Sequence, residues 1–168
     1  MSFVFNNNQD IFHIRLKELE LQAERIMDPT LKTRPVAIIS SPPPNGIIIS
    51  LSPEAAEEGL FHGMKVSVVR KMSHGVLLLP YNQSLYARVN RYVYQSVSMF
   101  TPAVEPEGFN GFYLDMNGMR AIRGHVQNTG LSIIQRIQEQ TSLSGMVGIS
   151  VNKLVSRIVT SVIPDTIH

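Results

Sequence analysis

Apolar and polar positions alternate and cluster along this chain in ways that separate strands from helices. Ile11-Phe12-His13-Ile14-Arg15-Leu16 alternates enough to predict a strand. From Lys17 the period changes. Leu19, Ala23 and Ile26 recur at helical spacing among Glu18, Glu20, Gln22, Glu24 and Arg25, so residues 16–27 are expected as an amphipathic helix ended by Asp28-Pro29. Residues 31–39 lead into a strand, and residues 40–45, with three consecutive prolines, form a turn. The β-branched run Ile47-Ile48-Ile49 then reads as the returning, buried strand of a hairpin. Ser52 as N-cap with Pro53 at the first helical position starts a short helix that Gly59 stops. Residues 66–72 are a short helix and residues 76–80 a strand.

Further along, residues 84–100 carry Leu85, Val89, Val93, Val97 and Phe100 as one continuous stripe, with Tyr86, Tyr92 and Tyr94 on its flanks. A stripe of that kind is core packing. Residues 105–116 read as a buried strand entered from a turn. Alternation places Asn110, Phe112 and Leu114 on one face, and Gly111, Tyr113 and Asp115 on the other. After a turn at Asn117-Gly118, a helix over 130–141 is expected with Leu131, Ile134 and Ile137 inside; residues 120–127 lead into it. Residues 146–150 are a strand, and residues 151–162 a helix with Leu154, Val155, Ile158 and Val162 on one side. Residues 2–9, with Asn6-Asn7-Asn8, read as a frayed leader.

Composition narrows the class. At 168 residues, 43% hydrophobic and 17% charged, the chain has material for a real core and is of one-domain size, with room for a modest insertion. Cysteine is absent, which removes disulfides and thiolate metal sites and suits a reducing cytoplasm. No apolar run approaches the roughly 20 residues needed to span a bilayer. The first ten residues lack a basic and then apolar leader pattern, so a cytoplasmic location is expected. Net charge is +2, from 15 Lys+Arg against 13 Asp+Glu, too near balance to argue for nucleic acid. Basic residues do gather late, at Arg120, Arg123, Arg136, Lys153 and Arg157, and a solvated surface accounts for them.

Four motifs, in order, carry a resemblance. Thr101-Pro102-Ala103-Val104-Glu105-Pro106 followed by Tyr113-Leu114-Asp115 resembles the palm strand of Y-family translesion DNA polymerases. Leu31 to Ile39 resembles that family's step into a fingers strand, and Gly59 to Met64 its Gly-x-x-x-Gly-Met turn. Gly148-Ile149-Ser150-Val151-Asn152-Lys153 is similar to its Gly-Ile-Ser-x-Asn-Lys motif. The resemblance runs from about Ile11 to Ile163. It implies an α/β (α+β) fold: a ferredoxin-like βαββαβ palm over residues 1–18 and 77–168, interrupted by a small fingers domain over 19–76. Thumb and little-finger domains of full-length members lie outside this sequence, which is therefore read as a fragment.

The family's chemistry does not carry over at the matching positions. Its first metal-binding Asp is Arg15 here and the second acid Lys17; its palm Asp-Glu pair is Asn110 and Gly111. Its steric gate is Glu20, its triphosphate grip Pro53 and Ala56, and its late lysine Ile163. Magnesium is a hard cation that demands anionic oxygen. A guanidinium about 4 Å from a unit positive charge is opposed by roughly 4 kcal/mol at an effective dielectric near 20. No catalytic residue, no nucleotide-binding residue and no magnesium are therefore expected. Candidates for a rebuilt metal site are Glu18, Glu20, Glu105, Glu107 and Asp115, while His13 and His62 lack metal-spaced partners. The resemblance is nearest to the ImuB-type subunit of bacterial mutagenesis cassettes. It implies a non-catalytic adaptor in DNA damage tolerance, with a sliding clamp, a recombinase and an active DNA polymerase as partners, and weak DNA contact through Lys153 and Arg157. Two alternatives stay open: an active nucleotidyltransferase with displaced ligands, and an interaction module with no tie to DNA.

Overall fold

The computed structural model describes residues 10–162; the leader expected over residues 2–9 lies outside them, as does Ile163. Among the described residues, seven strands form two sheets and seven α-helices accompany them. The described residues divide into two units, residues 10–17 with 90–162, and residues 18–89.

The first unit is built on a four-stranded sheet. Its strands are β1 (Ile11–Arg15), β5 (Val104–Glu107), β6 (Gly111–Asp115) and β7 (Met146–Ser150), in the order β5-β6-β1-β7, every neighbour antiparallel. That order, with helices between β1 and β5 and between β6 and β7, is the βαββαβ arrangement expected. Register sorts the side chains by face. Phe12 lies opposite Leu114 and Ile149, and Ile14 opposite Phe112 and Val147. Phe12, Ile14, Phe112 and Leu114 are fully buried. The second half of helix α4 (Gln83–Ser98) and helix α6 (Val126–Thr141) cover this face, with Val93, Val97, Ile133 and Ile137 buried. The other face carries His13, Gly111, Tyr113 and Gly148, under helix α7 (Lys153–Val162).

Four expectations need correction here. The strand read over 105–116 is a hairpin: β5 and β6 meet at the Glu107–Gly111 pair around a three-residue loop, with Gly108 at φ 63. A positive φ inside a strand-like run is the signature of such a loop. In α6, Leu131 is 68% exposed, while Thr129, Gly130, Ile133 and Ile137 face inward. A Cβ at Gly130 would meet Ile149 Cδ1 at 3.0 Å, so the helix touches β7 along its glycine side and turns Leu131 outward. In α7, Ser156 and Thr160 are fully buried, and Leu154, Val155, Ile158 and Val162 are exposed. The expected apolar side is one side, but it faces away from the sheet. Residues 120–123 form a separate short helix, α5 (Arg120–Arg123), broken from α6 at Gly124, φ 78.

The second unit holds a three-stranded sheet, β3 (Ile48–Leu51), β2 (Val36–Ile39) and β4 (Leu77–Pro80), with β2–β3 antiparallel and β2–β4 parallel. Helix α1 (Leu19–Met27), helix α2 (Pro53–Glu57) and helix α3 (Val66–Met72) accompany it. Ala37, Ile48, Leu51, Ala55, Leu60, Met64 and Val69 form its core. Ser52 caps α2 as expected, and its buried hydroxyl accepts from both Ala55 N–H (3.1 Å) and Val36 N–H (3.0 Å), tying helix start to strand start. Among the described residues no helix is long and apolar enough to cross a membrane.

Candidate functional site

Arg15, Asn110 and Gly111, singled out in the sequence, meet at one end of the four-stranded sheet. Arg15 ends β1 and is registered against Gly111 on one side and Met146 on the other. Its guanidinium reaches toward the Ser161 hydroxyl on α7, Nη1 to Oγ 3.4 Å. Asn110 sits in the hairpin loop, where its carbonyl accepts the Leu16 N–H at 2.8 Å. The loop is held further by Asn90, whose side-chain amide donates to the Phe109 carbonyl at 2.6 Å.

Gly111 is crowded. A Cβ there would stand 2.8 Å from the Glu107 backbone oxygen, 2.8 Å from Glu107 Oε2 and 3.3 Å from His13 Nε2. The Glu107 carboxylate occupies the space where a side chain at 111 would begin. It approaches His13 Nε2 at 3.4 Å and Arg157 Nε at 3.3 Å. His13 Nδ1 meets the Thr160 hydroxyl at 2.6 Å. A neutral ring with its proton on Nε2 donates toward Glu107 and leaves Nδ1 to accept from the Thr160 hydroxyl, whose single proton also has the Arg157 carbonyl within reach at 2.9 Å. Burial pushes the His13 pKa down, outweighing the pull of Glu107, and the Arg15 and Arg157 charges add to the lowering. The ring lies 4.7 Å from that of Tyr113.

The donor set offered by Arg15, Asn110 and Gly111 is a guanidinium, an amide and a bare backbone. That set does not fit a hard divalent cation. Among the candidates for a rebuilt site, Glu107 and His13 come together but as a pair; no three His, Asp or Glu side chains converge among the described residues as a metal ion would need. Glu105 is paired with Lys153 at 2.5 Å, and Asp115 turns its exposed carboxylate to the Asn117 N–H. The pairing of Glu107 with Gly111 was missed in the sequence, though Gly108 carried the signal for the loop that creates it.

The two residues expected to touch DNA phosphates are both partnered. Lys153 pairs with Glu105 and lies 5.4 Å over the Tyr113 ring, and Arg157 pairs with Glu107. Two glutamates spaced by two on a strand thus face two bases spaced by four on a helix.

In the second unit, Glu20 is half-buried on α1, and burial raises its pKa, with Glu18 adding repulsion. Pro53 and Ala56 are exposed on α2, one without an N–H and the other with a methyl alone, so neither can hold a phosphate by side chain. Glu18 precedes α1 at φ 48, outside the helix the sequence suggested for it. Its carboxylate accepts from Ser50 Oγ (2.5 Å) and Leu51 N–H (2.9 Å) and meets His62 Nε2 at 2.6 Å. This acid and this histidine pin the start of α1 to β3.

Residues 16–161 match the model of the impB/mucB/samB family. A DNA polymerase IV of Dehalococcoides mccartyi is 27% identical over 150 residues, covering 89% of this chain and 38% of the relative. A DNA polymerase IV of Glaesserella parasuis is 28% identical over 153 residues, covering 91% and 43%. Among solved structures, DinB from Sulfolobus solfataricus superposes with a TM-score of 0.81 at 18% identity, covering 90% of this chain and 45% of that one. An insertion ternary complex of Dbh DNA polymerase gives the same values. The chain thus spans under half the length of these relatives.

Proposed function

The chain belongs to the impB/mucB/samB family, and from that membership we propose that it is the palm and fingers portion of a Y-family polymerase-like protein that does not itself catalyse. The palm takes residues 1–18 and 77–168 and the fingers residues 19–76. The role is that of an adaptor in DNA damage tolerance, of the ImuB type, bringing together a sliding clamp, a recombinase and an active DNA polymerase. The observation that carries the reading is the Arg15–Gly111 pair, with the Glu107 carboxylate packed into the room a palm acid would need. Divalent-metal phosphoryl transfer needs anionic ligands at that spot, and the chain offers a fixed positive charge instead. Magnesium is not bound there.

DNA contact through Lys153 and Arg157 is weak in this reading, because each base already faces a glutamate. Such exposed pairs are held loosely enough for a phosphate to compete. A second reading has one observation in its favour: Glu107 and His13 stand together at Gly111, where a displaced metal ligand would be useful.

Primer extension by the intact polypeptide, with magnesium or manganese, separates the two. No extension, together with no calorimetric heat when manganese is titrated into this chain, is the expected result. Extension that is lost in Glu107→Gln establishes the second reading instead. For DNA, the logarithm of affinity should fall with the logarithm of salt with a shallow slope that flattens in Lys153→Ala and Arg157→Ala. An unchanged slope removes these two residues as phosphate contacts.

A further inference from the structure

Away from the α7 face, on the helices of the other side, a cleft of about 410 Å³ opens between the end of α4, α5 and α6. Arg123 and Arg136 line it together with Met99, Phe100 and Glu139. Their pairing sets these arginines apart from a neighbour. Arg120 is held by Asp10 through two contacts of 2.6 and 2.7 Å. Arg123 makes neutral contacts only: it donates to the Met99 carbonyl at 2.5 Å and lies 4.9 Å over the Phe100 ring. Arg136 donates to the Met99 sulfur at 3.3 Å. Neither forms an ion pair among the described residues. Met99, on the cleft wall, is 56% exposed.

We infer that this cleft is a docking site for a short peptide segment of a partner protein, one that combines a carboxylate with a large apolar side chain. The carboxylate bridges Arg123 and Arg136, whose forked donors match its geometry. The apolar side chain lies on Met99 and Phe100, soft and aromatic surfaces of the kind enriched at protein interfaces. Charge complementarity fixes the class of occupant. Two guanidinium groups without carboxylate partners call for an anion, and the apolar surface beside them calls for a side chain. Glu139 on the same wall opposes a run of phosphates more than it opposes one carboxylate, and one aromatic ring is a poor platform for stacked bases. The inference does not rest on the reading of the α7 face: the site uses none of its residues, and it holds whether or not the chain catalyses.

The test uses fluorescence anisotropy with a fluorescein-labelled hexapeptide, Gly-Leu-Asp-Phe-Glu-Gly, its counterpart with Asn and Gln in place of the acids, and a labelled twelve-nucleotide oligo-dT. The acidic peptide is expected to bind, to weaken with salt, and to weaken about tenfold in Arg123→Gln or Arg136→Gln, the scale of one lost charge-assisted hydrogen bond. Glu139→Gln should tighten it about two- to threefold by removing a surface repulsion. Arg70→Gln, a basic change elsewhere on the surface, should leave it unaltered. All four positions lie near the surface, and unchanged circular dichroism of each variant certifies the fold. Equal binding of the amide peptide, indifference to both arginine changes, or no binding at millimolar protein overturns the inference. So does tighter, Arg123-dependent binding of oligo-dT, which would make the site one for nucleic acid.

Discussion

Gly148 of β7 lies directly beneath Ser156 of α7, so close that a Cβ on the strand would run into the helix carbonyl oxygen and stand 2.9 Å from Thr160 Cγ2. This contact sets which side of α7 meets the sheet. A helix whose backbone is that near can present only small side chains inward, and Ser156 and Thr160 are what α7 offers. Gly148→Ala is therefore expected to destabilise the first unit by about 1–3 kcal/mol, the usual cost of overpacking. A lowered urea midpoint with an unchanged m-value is the signature; an unchanged midpoint would show that α7 does not sit as described.

The same arrangement reverses the ordinary rule for an amphipathic helix. Leu154→Ser and Ile158→Ser should leave stability within about 0.5 kcal/mol, as surface changes do. Ser156→Val should cost about 1–3 kcal/mol through overpacking. Thermal melts of the three variants decide it, and the opposite ranking would mean the apolar side faces the sheet.

Acid should loosen the His13 region. The folded pKa of His13 lies below its ordinary value of 6.5, so in the window beneath 6.5 the unfolded chain binds more protons than the folded one. The contribution of His13 to stability is whole above 6.5 and declines as pH falls through that window. His13→Gln should flatten this part of the stability–pH curve. Denaturation at pH 7.5 and 5.5, with the imidazole resonance followed by NMR, tests the sign; a folded pKa above 6.5 would reverse it.

Divalent cations should not stabilise the chain. A site occupied at a hundred times its Kd would add about 2.7 kcal/mol. Ten millimolar magnesium, or its removal with a chelator, is expected to leave the melting temperature unchanged, and an upward shift that Glu107→Gln abolishes would point to a rebuilt site.

Ser52→Ala should weaken the second unit by roughly 1–2 kcal/mol, at the upper end of cap losses. Its buried hydroxyl serves two N–H groups, at Ala55 and Val36, and both would be left unmet. Hydrogen exchange should quicken at those two amides first.

Much of this architecture was legible in the residues. The strand at Ile11, the cap at Ser52 and the strand at Met146 follow from local pattern, because backbone preference and side-chain period act within a few residues. The residue types at positions 15, 110 and 111, a guanidinium, an amide and a bare backbone, were also legible, since charge belongs to residue identity and needs no fold to be read. What only the tertiary structure decided is which surfaces meet. Periodicity says that Leu154, Val155, Ile158 and Val162 share a side of α7, and it cannot say that a glycine on a strand reserves the sheet for Ser156 and Thr160. It shows Glu107 as an acid in a strand, and only the hairpin register folds that acid back over Gly111. It scatters Arg123 and Arg136 among basic residues, and only the packing of α4, α5 and α6 brings them to one cleft, beside Glu139 but with neither in an ion pair among the described residues. Period is a property of one segment, whereas close approach depends on two, and the second partner is known only once the chain has folded.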